Sequence, residues 1–362
     1  MKAVILAGGF GTRLHPLTRS LPKPMLPILN QPFLEHYLNH LGAHEINQVY
    51  LTLYHLPEMI QQHFGNGYRG ISLKYAIERE PLGTAGGVKA LQNCFDDTFL
   101  VGNGDIFTNV DLSSAIKFHK DKKAAATLIL TQVSDPTSFG MVETDSDSRI
   151  IRFIEKPSPN EVTTHWVNGG TYILEPHVLG HLPSEHPVMF EHDLFPGMLK
   201  CGEPMYAFKS EAYWLDMGTR RNYLKLHKDL LEGTVSGPDM REKDNQGIVM
   251  GEACYIHPSA ILNGPIMLGA GCQIGPNSRI TGPVTIGDGC TISARVQISN
   301  AVVWSESNLG FSSALEGCIV GKAVTVQDGA HVGADCILGN YSMVSEGKQV
   351  PVGFSLEPMV TF

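Results

Sequence analysis

The length, composition and charge of this 362-residue chain already exclude several classes of protein. Apolar residues make up 43% and charged residues 17% of the chain, which predicts a folded protein with a substantial core. The 36 acidic residues outnumber the 27 basic ones and give a net charge of −9, which argues against nonspecific nucleic-acid binding.

The sequence also argues against a membrane protein. No segment approaches the roughly 20 apolar residues of a membrane span, and the opening apolar run, residues 3–7, is too short for the core of a signal peptide. Seven cysteines lie scattered along the chain without a CxxC pair, as is typical of a reduced cytosolic protein with buried thiols. We therefore expect a cytoplasmic location.

Up to about residue 232, short apolar runs alternate with helical periods. Strands are predicted at residues 4–7, 46–53, 71–77, 99–101 and 167–174, and helices at residues 34–41, 88–95, 112–119 and 223–231. Asp111 stands where it would cap the third helix, and the polar turn 145–148 predicts a hairpin. This alternation predicts an α/β domain, residues 1–232, whose mainly parallel sheet carries helices on both faces.

A second domain, residues 251–362, is predicted after a polar linker at residues 233–250. Aliphatic residues recur every six positions from Ile256 to Ile298 and again, in a shifted register, from Val320 to Val344. This period predicts a left-handed parallel β-helix of hexapeptide repeats, whose aliphatic side chains point inward and stack coil upon coil. The register change between Trp304 and Val320 predicts a loop or bulge that leaves the stack.

The cysteines of this second domain follow the same period. Cys254, Cys272 and Cys290 are 18 residues apart, as are Cys318 and Cys336, and 18 residues make one coil of three hexapeptides. They should therefore form columns with neighbours about 4.8 Å apart. Small apolar side chains filling a narrow interior explain such columns better than a metal or disulfide bonds.

Three glycines, Gly8, Gly9 and Gly11, follow the first predicted strand. Glycines at the carboxyl end of a parallel strand let backbone N–H groups approach a phosphate closely. The spacing is that of neither a P-loop nor a dinucleotide fingerprint, but Arg13 and Lys23 add positive charge to the same stretch. The stretch predicts a polyphosphate site; a tight turn with two surface cations is the alternative.

Glu80 precedes a second glycine-rich turn, which includes Gly83. A carboxylate can accept hydrogen bonds from both N1–H and N2–H of guanine, whereas uracil and thymine offer only N3–H between two carbonyl groups. Glu80 therefore favours guanine as the base. The alternative is a carboxylate that simply stabilises the start of a helix.

Asp105 follows a buried strand, and Asp216 lies in a second aspartate-glycine segment, residues 214–219. Two carboxylates, phosphate oxygens and water make a normal Mg²⁺ shell, although either aspartate alone is more often a cap or turn residue. Glu155 and Lys156 end a further strand, predicted at residues 150–154, where they are suited to accept sugar hydroxyls and to hold a phosphate; a surface ion pair is the alternative. Asn168 precedes two glycines that permit close ligand approach.

The motifs GGFGTRLHPLTRSLPKPM, EPLGTAGG, GNGDIF, FIEKP, NGG and WLDMGT stand in the order seen in sugar-1-phosphate nucleotidyltransferases, which this chain resembles over nearly its whole length. EPLGTAG and FIEKP resemble the mannose-1-phosphate guanylyltransferases of that family most. The resemblance implies a Rossmann-like domain that transfers a nucleoside monophosphate from an NTP, foremost GTP, to a sugar 1-phosphate, foremost mannose 1-phosphate. It implies Mg²⁺ as cofactor and a homo-oligomer formed through the β-helix, with no nucleic-acid or membrane partner.

The resemblance also implies roles for individual residues. Catalytic roles would belong to Arg13, Lys23, Asp105 and Asp216, and the two aspartates would hold the metal. The nucleotide would be bound by Leu6, Gly8, Gly9, Gly11, Thr12, Arg13, Lys23, Glu80, Gly83 and Asp105. The sugar 1-phosphate would be bound by Gly140, Glu155, Lys156 and Asn168.

The sequence leaves the substrates open. His15 stands where the family usually has arginine, and Asn103-Gly104-Asp105 also resembles uridylyltransferases, so a glucose-1-phosphate uridylyl-, thymidylyl- or adenylyltransferase is the alternative. A regulatory subunit that binds a nucleotide sugar without catalysis is the alternative of another class. His257 and His331 would permit acyl transfer by the β-helix, but structural packing of both is favoured. Oligomer number and feedback regulation are not encoded in any motif.

Overall fold

The computed structural model describes residues 1–183, 187–235 and 247–362, which form two compact units. The first unit comprises Met1–Gly9 and Tyr37–Leu215, and the second comprises Phe10–His36 and Asp216–Phe362. The segment that carries Arg13 and Lys23 therefore belongs to the same unit as the C-terminal part of the chain. Residues 236–246, most of the predicted linker, lie outside the described residues.

A ten-stranded sheet forms the centre of the first unit. Its four central strands are parallel, and they are the apolar runs that the sequence predicts as buried strands. The strands lie in the order Ile150–Glu155, Gly140–Thr144, Trp166–Leu174, Phe99–Asn103, Lys2–Leu6, Gln48–Leu53, Ile71–Ile77 and Gly67–Tyr68, while Ala126–Gln132 pairs with Trp166–Leu174 and with Met205–Lys209. Ile106–Thr108 pairs with Trp214–Asp216, and Pro27–Ile28 with Gln31–Pro32.

The helices confirm most of the predicted ones. They are Phe33–Ala43, Pro57–Phe64, Gly83–Ala90, Leu112–Lys122, Phe195–Cys201 and Arg220–Glu232. Asp111 caps the fourth, since its carboxylate accepts the Ser114 N–H at 3.0 Å. The helix predicted at 88–95 is wrong at both ends: it starts at Gly83 and passes after Ala90 into the tighter 3₁₀ turn Gln92–Cys94. Within the described ranges, no helix has the length and apolarity needed to cross a membrane.

The β-helix of the second unit is confirmed as stacked coils of parallel strands. One face is a six-stranded sheet, whose strands are Tyr255–Ile256, Gln273–Ile274, Thr291–Ile292, Asn308–Leu309, Thr325–Val326 and Met343–Val344. An eleven-stranded sheet forms the rest: Ile248–Met250, Ile261–Asn263, Ile266–Leu268, Arg279–Ile286, Gln297–Val303, Ala314–Glu316, Ile319–Val320, His331–Val332, Ile337–Leu338, Gln349–Val350 and Ser355–Leu356. The periodic aliphatic residues form a continuous buried core between the faces.

The loop or bulge predicted to leave this stack is wrong. Parallel pairing continues through the region, with Ile292 opposite Leu309 and Val303 opposite Val320. These partners are 17 residues apart instead of 18, and the pairing of Arg279–Ile286 with Gln297–Val303 shifts by one residue after Thr281. Two successive coils, each one residue shorter, thus change the register of the aliphatic residues without interrupting the ladders.

Two buried cysteines of the β-helix illustrate how thiols donate hydrogen bonds to backbone carbonyls there. Cys272 Sγ lies 3.1 Å from Gly287 O and Cys290 Sγ lies 3.2 Å from Trp304 O. Burial raises the pKa of Cys272 to about 12 and that of Cys290 to about 11. Ser307 continues the column, and its hydroxyl donates to Gly321 O at 2.9 Å.

Polar contacts join segment Phe10–His36 to the β-helix within the second unit. The Arg19 guanidinium pairs with the Glu357 carboxylate through two contacts, of 2.7 and 3.1 Å. Asn340 Nδ2 donates to Ser20 Oγ at 2.9 Å, and Asn30 Nδ2 donates to Ile286 O at 2.9 Å. The segment with the predicted phosphate-binding cations is therefore held along its length by β-helix residues.

Candidate active site

In the second unit, two predicted phosphate-binding cations converge on one carboxylate. Arg13 Nη2 lies 3.5 Å from Asp216 Oδ2, and Lys23 Nζ lies 3.8 Å from Asp216 Oδ1. The Arg13 side chain is 62% exposed, whereas that of Lys23 is only 9% exposed. Arg13 can thus reach a ligand from the surface, while Lys23 provides a fixed charge beside the carboxylate.

Gly11 and Thr18 shape the turn that carries Arg13. Gly11 has a left-handed φ of 62°, and a Cβ there would lie 3.0 Å from Thr18 and 3.3 Å from the Lys23 side chain. The Thr18 hydroxyl donates to Gly11 O at 2.9 Å. The chain then forms the 3₁₀ helix Thr12–Leu14, which leaves Thr12 and Arg13 exposed.

Asp216 is held by the backbone that follows it. Its Oδ1 accepts the Gly218 N–H at 2.7 Å, and its carbonyl accepts Asn222 Nδ2 at 2.7 Å. A Cβ at Gly218 would lie 2.5 Å from Arg13 Nη2 and 2.7 Å from Asp216 Oδ1, so a side chain there would have to displace the guanidinium from its present place beside Asp216. Thr219 then caps helix Arg220–Glu232 by accepting the Asn222 N–H.

In the first unit, the opening strand leads to two glycines with different surroundings. Leu6 O accepts the Gly104 N–H at 2.9 Å, which joins the end of the first strand to the turn before Asp105. A Cβ at Gly8 would lie 3.4 Å from Tyr54, but, apart from its chain neighbours, no atom of the described residues lies within 4 Å of a Cβ at Gly9. The protein itself therefore leaves open space over Gly9.

The second glycine-rich turn is fixed by a neighbouring segment. Gly83 has a φ of 79°, and a Cβ there would lie 2.3 Å from Val188 O. That carbonyl accepts the N–H groups of Ala85 and Gly86, which open helix Gly83–Ala90. Glu80 lies exposed before this helix, where its carboxylate is accessible to a base.

Asp105 lies half-buried in the turn between strands Phe99–Asn103 and Ile106–Thr108. Burial, reinforced by the nearby Asp105 charge, raises the pKa of Tyr37, whose hydroxyl bonds to Thr171. Asn103 Oδ1 is buried and lacks a hydrogen-bond partner among the described residues. An acceptor oxygen in this state, two residues before Asp105 in the sequence, fits a site that is completed by a ligand.

Gly140, Glu155 and Lys156 meet where one hairpin ends. Gly140 lies opposite Glu155 in the ladder, and a Cβ there would be 2.9 Å from Glu155 Oε2 and 2.6 Å from the Phe153 ring. Lys156 Nζ lies 3.9 Å from Glu155 Oε1, with a side chain that is 69% exposed. Burial raises the pKa of Glu155, and the charge of Glu191 raises it further.

Asn168 lies beside an irregularity in strand Trp166–Leu174. The register against Ala126–Gln132 shifts between Asn168 and Thr171, and such bulges re-aim side chains next to active sites. Asn168 Oδ1 accepts the Gly170 N–H at 3.0 Å, and Asn168 Nδ2 donates to Tyr172 Oη at 2.8 Å. Trp214 Nε1 donates to Gly169 O at 2.9 Å, which holds the same bulge from outside the strand.

Sequence reasoning missed Glu191, Thr84 and Tyr172. The Thr84 hydroxyl donates to Glu191 Oε2 at 3.0 Å, and the Tyr172 hydroxyl lies 3.4 Å from Glu191 Oε1. The available signal was a carboxylate within the otherwise largely apolar stretch around Phe190 and Phe195, which no motif marks as a site.

The donor set fits Mg²⁺ better than a metal enclosed by protein ligands. Asp105 in the first unit and Asp216 in the second each offer carboxylate oxygens, and Asn103 Oδ1 has no hydrogen-bond partner among the residues that the structure describes. Across the described residues, no group of three or more His, Cys, Asp or Glu side chains could hold a metal ion. Mg²⁺ is usually held by one or two carboxylates and completes its shell with water and phosphate oxygens.

Two family matches cover nearly the whole chain. Residues 2–233 match the family described as nucleotidyl transferase. Residues 245–350 match the domain described as the EIF2B subunit epsilon LbH domain.

Individual relatives agree with these matches. The chain is 37% identical over 265 residues to a mannose-1-phosphate guanylyltransferase of Mycobacterium tuberculosis, covering 72% of this chain and 73% of the relative. It is 38% identical over 250 residues to a UTP–glucose-1-phosphate uridylyltransferase of Synechocystis, covering 65% and 64%. The crystal structure of HddC from Yersinia pseudotuberculosis complexed with GMP-PN aligns with a TM-score of 0.54 and 30% identity, covering 62% of this chain and 97% of that one.

Proposed function

This chain belongs to the nucleotidyl transferase family, and on that basis we propose that it transfers GMP from GTP to mannose 1-phosphate, releasing pyrophosphate. The observation that carries the proposal is the cluster of Arg13, Lys23 and Asp216, which joins two cations to one carboxylate. Guanine and mannose are supported by the relative of Mycobacterium tuberculosis, which is named for that reaction.

The proposed reaction needs charge neutralisation more than acid–base chemistry. An oxygen of the sugar phosphate attacks the α-phosphorus of GTP in line, a new P–O bond forms, and the bond to pyrophosphate breaks. The nucleophile is already an anion at neutral pH, so no group has to remove a proton from it. The barrier lies in bringing two anions together and aligning them.

The chain's own residues supply the positive charge for this alignment. Arg13 is exposed and bidentate, which suits the β- and γ-phosphates, while the buried Lys23 suits the α-phosphate. Lys156 lies beside Glu155 at the end of strand Ile150–Glu155, so it can bind the phosphate of the sugar 1-phosphate. Glu155 can accept hydrogen bonds from the hydroxyls of the same sugar, and Asn168 can accept from them or donate to them. Gly140 leaves the room that the Glu155 carboxylate requires.

The nucleotide contacts follow from the two glycine-rich turns. We assign the triphosphate to the backbone of Leu6, Gly8, Gly9, Gly11 and Thr12, and the base to Glu80 and Gly83. Asp105 and Asp216 would hold Mg²⁺, which when bound stabilises the charge that develops on the phosphate oxygens. The open space over Gly9 supports this assignment, because a ligand can approach the backbone there.

A substrate matrix tests the proposed function. Purified chain is mixed with Mg²⁺, with GTP, UTP, dTTP or ATP, and with mannose, glucose or N-acetylglucosamine 1-phosphate, and pyrophosphate release is measured. We expect the highest kcat/KM for GTP with mannose 1-phosphate. Preference for UTP with glucose 1-phosphate would favour the activity named for the Synechocystis relative instead.

The same assay separates catalysis from a regulatory role. A subunit that only binds a nucleotide sugar would bind GDP-mannose but release no pyrophosphate with any pair.

We also propose that the protein is cytoplasmic and forms homo-oligomers through the β-helix. Light scattering of the full chain tests the latter, and a monomeric mass at assay concentration would contradict it.

A further inference from the structure

Glu191 lies in the only π-helical turn of the described residues, Phe190–Leu194. π-Helical turns are rare and occur frequently at functional sites. The turn brings the Glu191 carboxylate between two hydroxyl groups, one on helix Gly83–Ala90 and one on strand Trp166–Leu174. None of the motifs considered above includes this residue.

On the side of strand Trp166–Leu174, two hydrogen bonds connect Glu191 through Tyr172 to Asn168, and we call this connection the relay. Tyr172 is completely buried, and its hydroxyl faces Glu191 Oε1 at 3.4 Å. A hydroxyl that donates to a carboxylate keeps its lone pairs for other donors. Asn168 Nδ2 donates to that oxygen at 2.8 Å, while Asn168 Oδ1 accepts the Gly170 N–H. The orientation of the Asn168 amide therefore depends on the acceptor beyond Tyr172.

On the helix side, Glu191 contacts the residue next to Gly83. The Thr84 hydroxyl donates to Glu191 Oε2 at 3.0 Å and accepts the Phe190 N–H at 3.1 Å. These two bonds fix the π-helical turn against the first turn of helix Gly83–Ala90. One carboxylate thus connects the element proposed to bind the base with the strand proposed to bind the sugar.

We propose that Glu191 is a positioning residue for the sugar 1-phosphate, orienting Asn168 through Tyr172 and fixing the sugar-binding strand to helix Gly83–Ala90. The inference rests on the proposed function, because Asn168 is assigned to the sugar there. Its role is separable from that of Glu155, which would touch the sugar itself.

The charge of Glu191 has a second effect, on Glu155. Burial raises the pKa of Glu155 most, the Glu191 charge raises it further, and Lys156 and His192 lower it. Glu155 accepts sugar hydroxyls best when ionised. Sugar binding should therefore weaken at a higher pH than an ordinary glutamate would give, and removing the Glu191 charge should move this loss to lower pH.

Three variants separate the effect of Glu191 on the orientation of Asn168 from its effect on the pKa of Glu155. Glu191→Ala and Tyr172→Phe both break the relay, and each should raise KM for mannose 1-phosphate about 10-fold while kcat stays within about 3-fold. The double variant should be no worse than Glu191→Ala alone, because Tyr172→Phe removes a connection that is already broken in that variant. Glu191→Gln keeps an acceptor for the relay, so its KM should recover to within about 3-fold of wild type, while the acid limb of kcat/KM moves to lower pH.

Asp193→Asn is the matched control, because Asp193 lies in the same π-helical turn but bonds only to the backbone N–H of Met189 in the contacts described. It should lower the melting temperature without changing KM or the acid limb. Equal KM values for wild type, Glu191→Ala and Tyr172→Phe, with only melting temperatures altered, would overturn the inference while leaving the proposed function intact. Wild-type chain that releases no pyrophosphate with any pair would overturn both.

Discussion

At the scale of single residues, the candidate site separates positions constrained by the protein from positions left open for a ligand. A Cβ at Gly11 would meet Thr18 and Lys23, and Gly11 also has a left-handed φ. A Cβ at Gly9 would meet no atom within 4 Å in the part of the chain that the structure describes, apart from its chain neighbours. The two glycines of one motif should therefore respond differently to the same substitution.

We expect Gly9→Ala to keep the melting temperature of wild type within about 2 °C, because a surface substitution without new contacts changes stability little, but to raise KM for the nucleotide. Gly11→Ala should lower the melting temperature, since alanine is strained at that φ. Thermal unfolding and initial rates measured on the same preparations check both. A normal nucleotide KM in Gly9→Ala would argue against backbone contact with the phosphates there.

Asp105 offers a sharper test of the proposed metal site. We expect Asp105→Asn to reduce kcat at least about 10²-fold, comparable to the loss of one preorganised electrostatic group. Steady-state rates over a Mg²⁺ titration provide the measurement, with Asp97→Asn, an exposed aspartate, as control. Near-normal turnover of Asp105→Asn would refute the metal assignment.

At the scale of elements, the mostly aliphatic interior of the β-helix also contains polar donor atoms. The column of Cys272, Cys290 and Ser307 donates to carbonyls of successive coils. Each donor satisfies a backbone group at a corner where the strand ladder is interrupted. The next residue of the column, Val324, is aliphatic and buried, so a donor is present in only part of the column.

The raised thiol pKa values predict an order of reactivity. Thiolate is the reactive form, so Cys272 and Cys290 should resist alkylation in the native protein at pH 8. Cys201 is exposed and should be labelled first. Mass mapping after timed exposure to iodoacetamide, with a denatured sample as control, checks this order; early labelling of Cys290 would contradict the buried column.

Helix Arg220–Glu232 carries a buried histidine that links it to both parts of the second unit. His227 Nδ1 lies 3.0 Å from Thr285 Oγ1, and its Nε2 lies 3.2 Å from Pro27 O. Burial lowers the pKa of His227 to about 3, against an ordinary value of 6.5. The unfolded chain therefore binds a proton between these values, whereas the folded chain does not.

It follows that His227 destabilises the fold as the pH falls below about 6.5, with a slope of up to about 1.4 kcal/mol per pH unit, and has no such effect above that pH. In His227→Gln, the free energy of unfolding should be lower at pH 7.5, but its decrease toward pH 5 should be shallower. Urea unfolding at pH 7.5, 6.5 and 5.5 measures both slopes. Identical slopes would show that His227 titrates normally in the fold.

At the scale of the whole molecule, the β-helix is part of the unit that holds Arg13, Lys23 and Asp216. Trp304 Nε1 donates to Tyr223 Oη at 3.1 Å, and Tyr223 Oη in turn donates to Pro27 O. A chain ending at residue 235 would retain every proposed catalytic residue but expose this network. The β-helix should therefore be needed for catalysis, apart from any role in oligomer formation.

We expect the truncated chain, residues 1–235, to lose at least about 10-fold in kcat/KM at equal folded concentration, through misplacement of the cations. Pyrophosphate release is the readout, and far-ultraviolet circular dichroism confirms folding. Arg220→Ala in the full chain is a second, milder variant. It removes hydrogen bonds from helix Arg220–Glu232 to Asp335 O and Gly353 O of the β-helix but leaves the β-helix itself in place. Full activity of a well-folded truncated chain would refute this dependence.

Local patterns predict the parts of this molecule that local forces determine. The six-residue period predicts the β-helix, and alternation of apolar runs with helical periods predicts the α/β sheet, because both patterns describe which faces are buried. The pairing of Arg19 with Glu357 joins residues 338 positions apart, so no local pattern reveals it. The sequence patterns did not predict a role for Glu191 for a related reason, since its two hydroxyl partners come from elements that are distant in the sequence.

The composition of the second unit changes how this protein should be recombined with its relatives. A crossover placed in the predicted linker would exchange the β-helix yet leave behind residues 10–36, whose Ser20 and Asn30 bond to it. Chimeras that transplant both segments together should mature into active enzyme more often than those that move the C-terminal cassette alone.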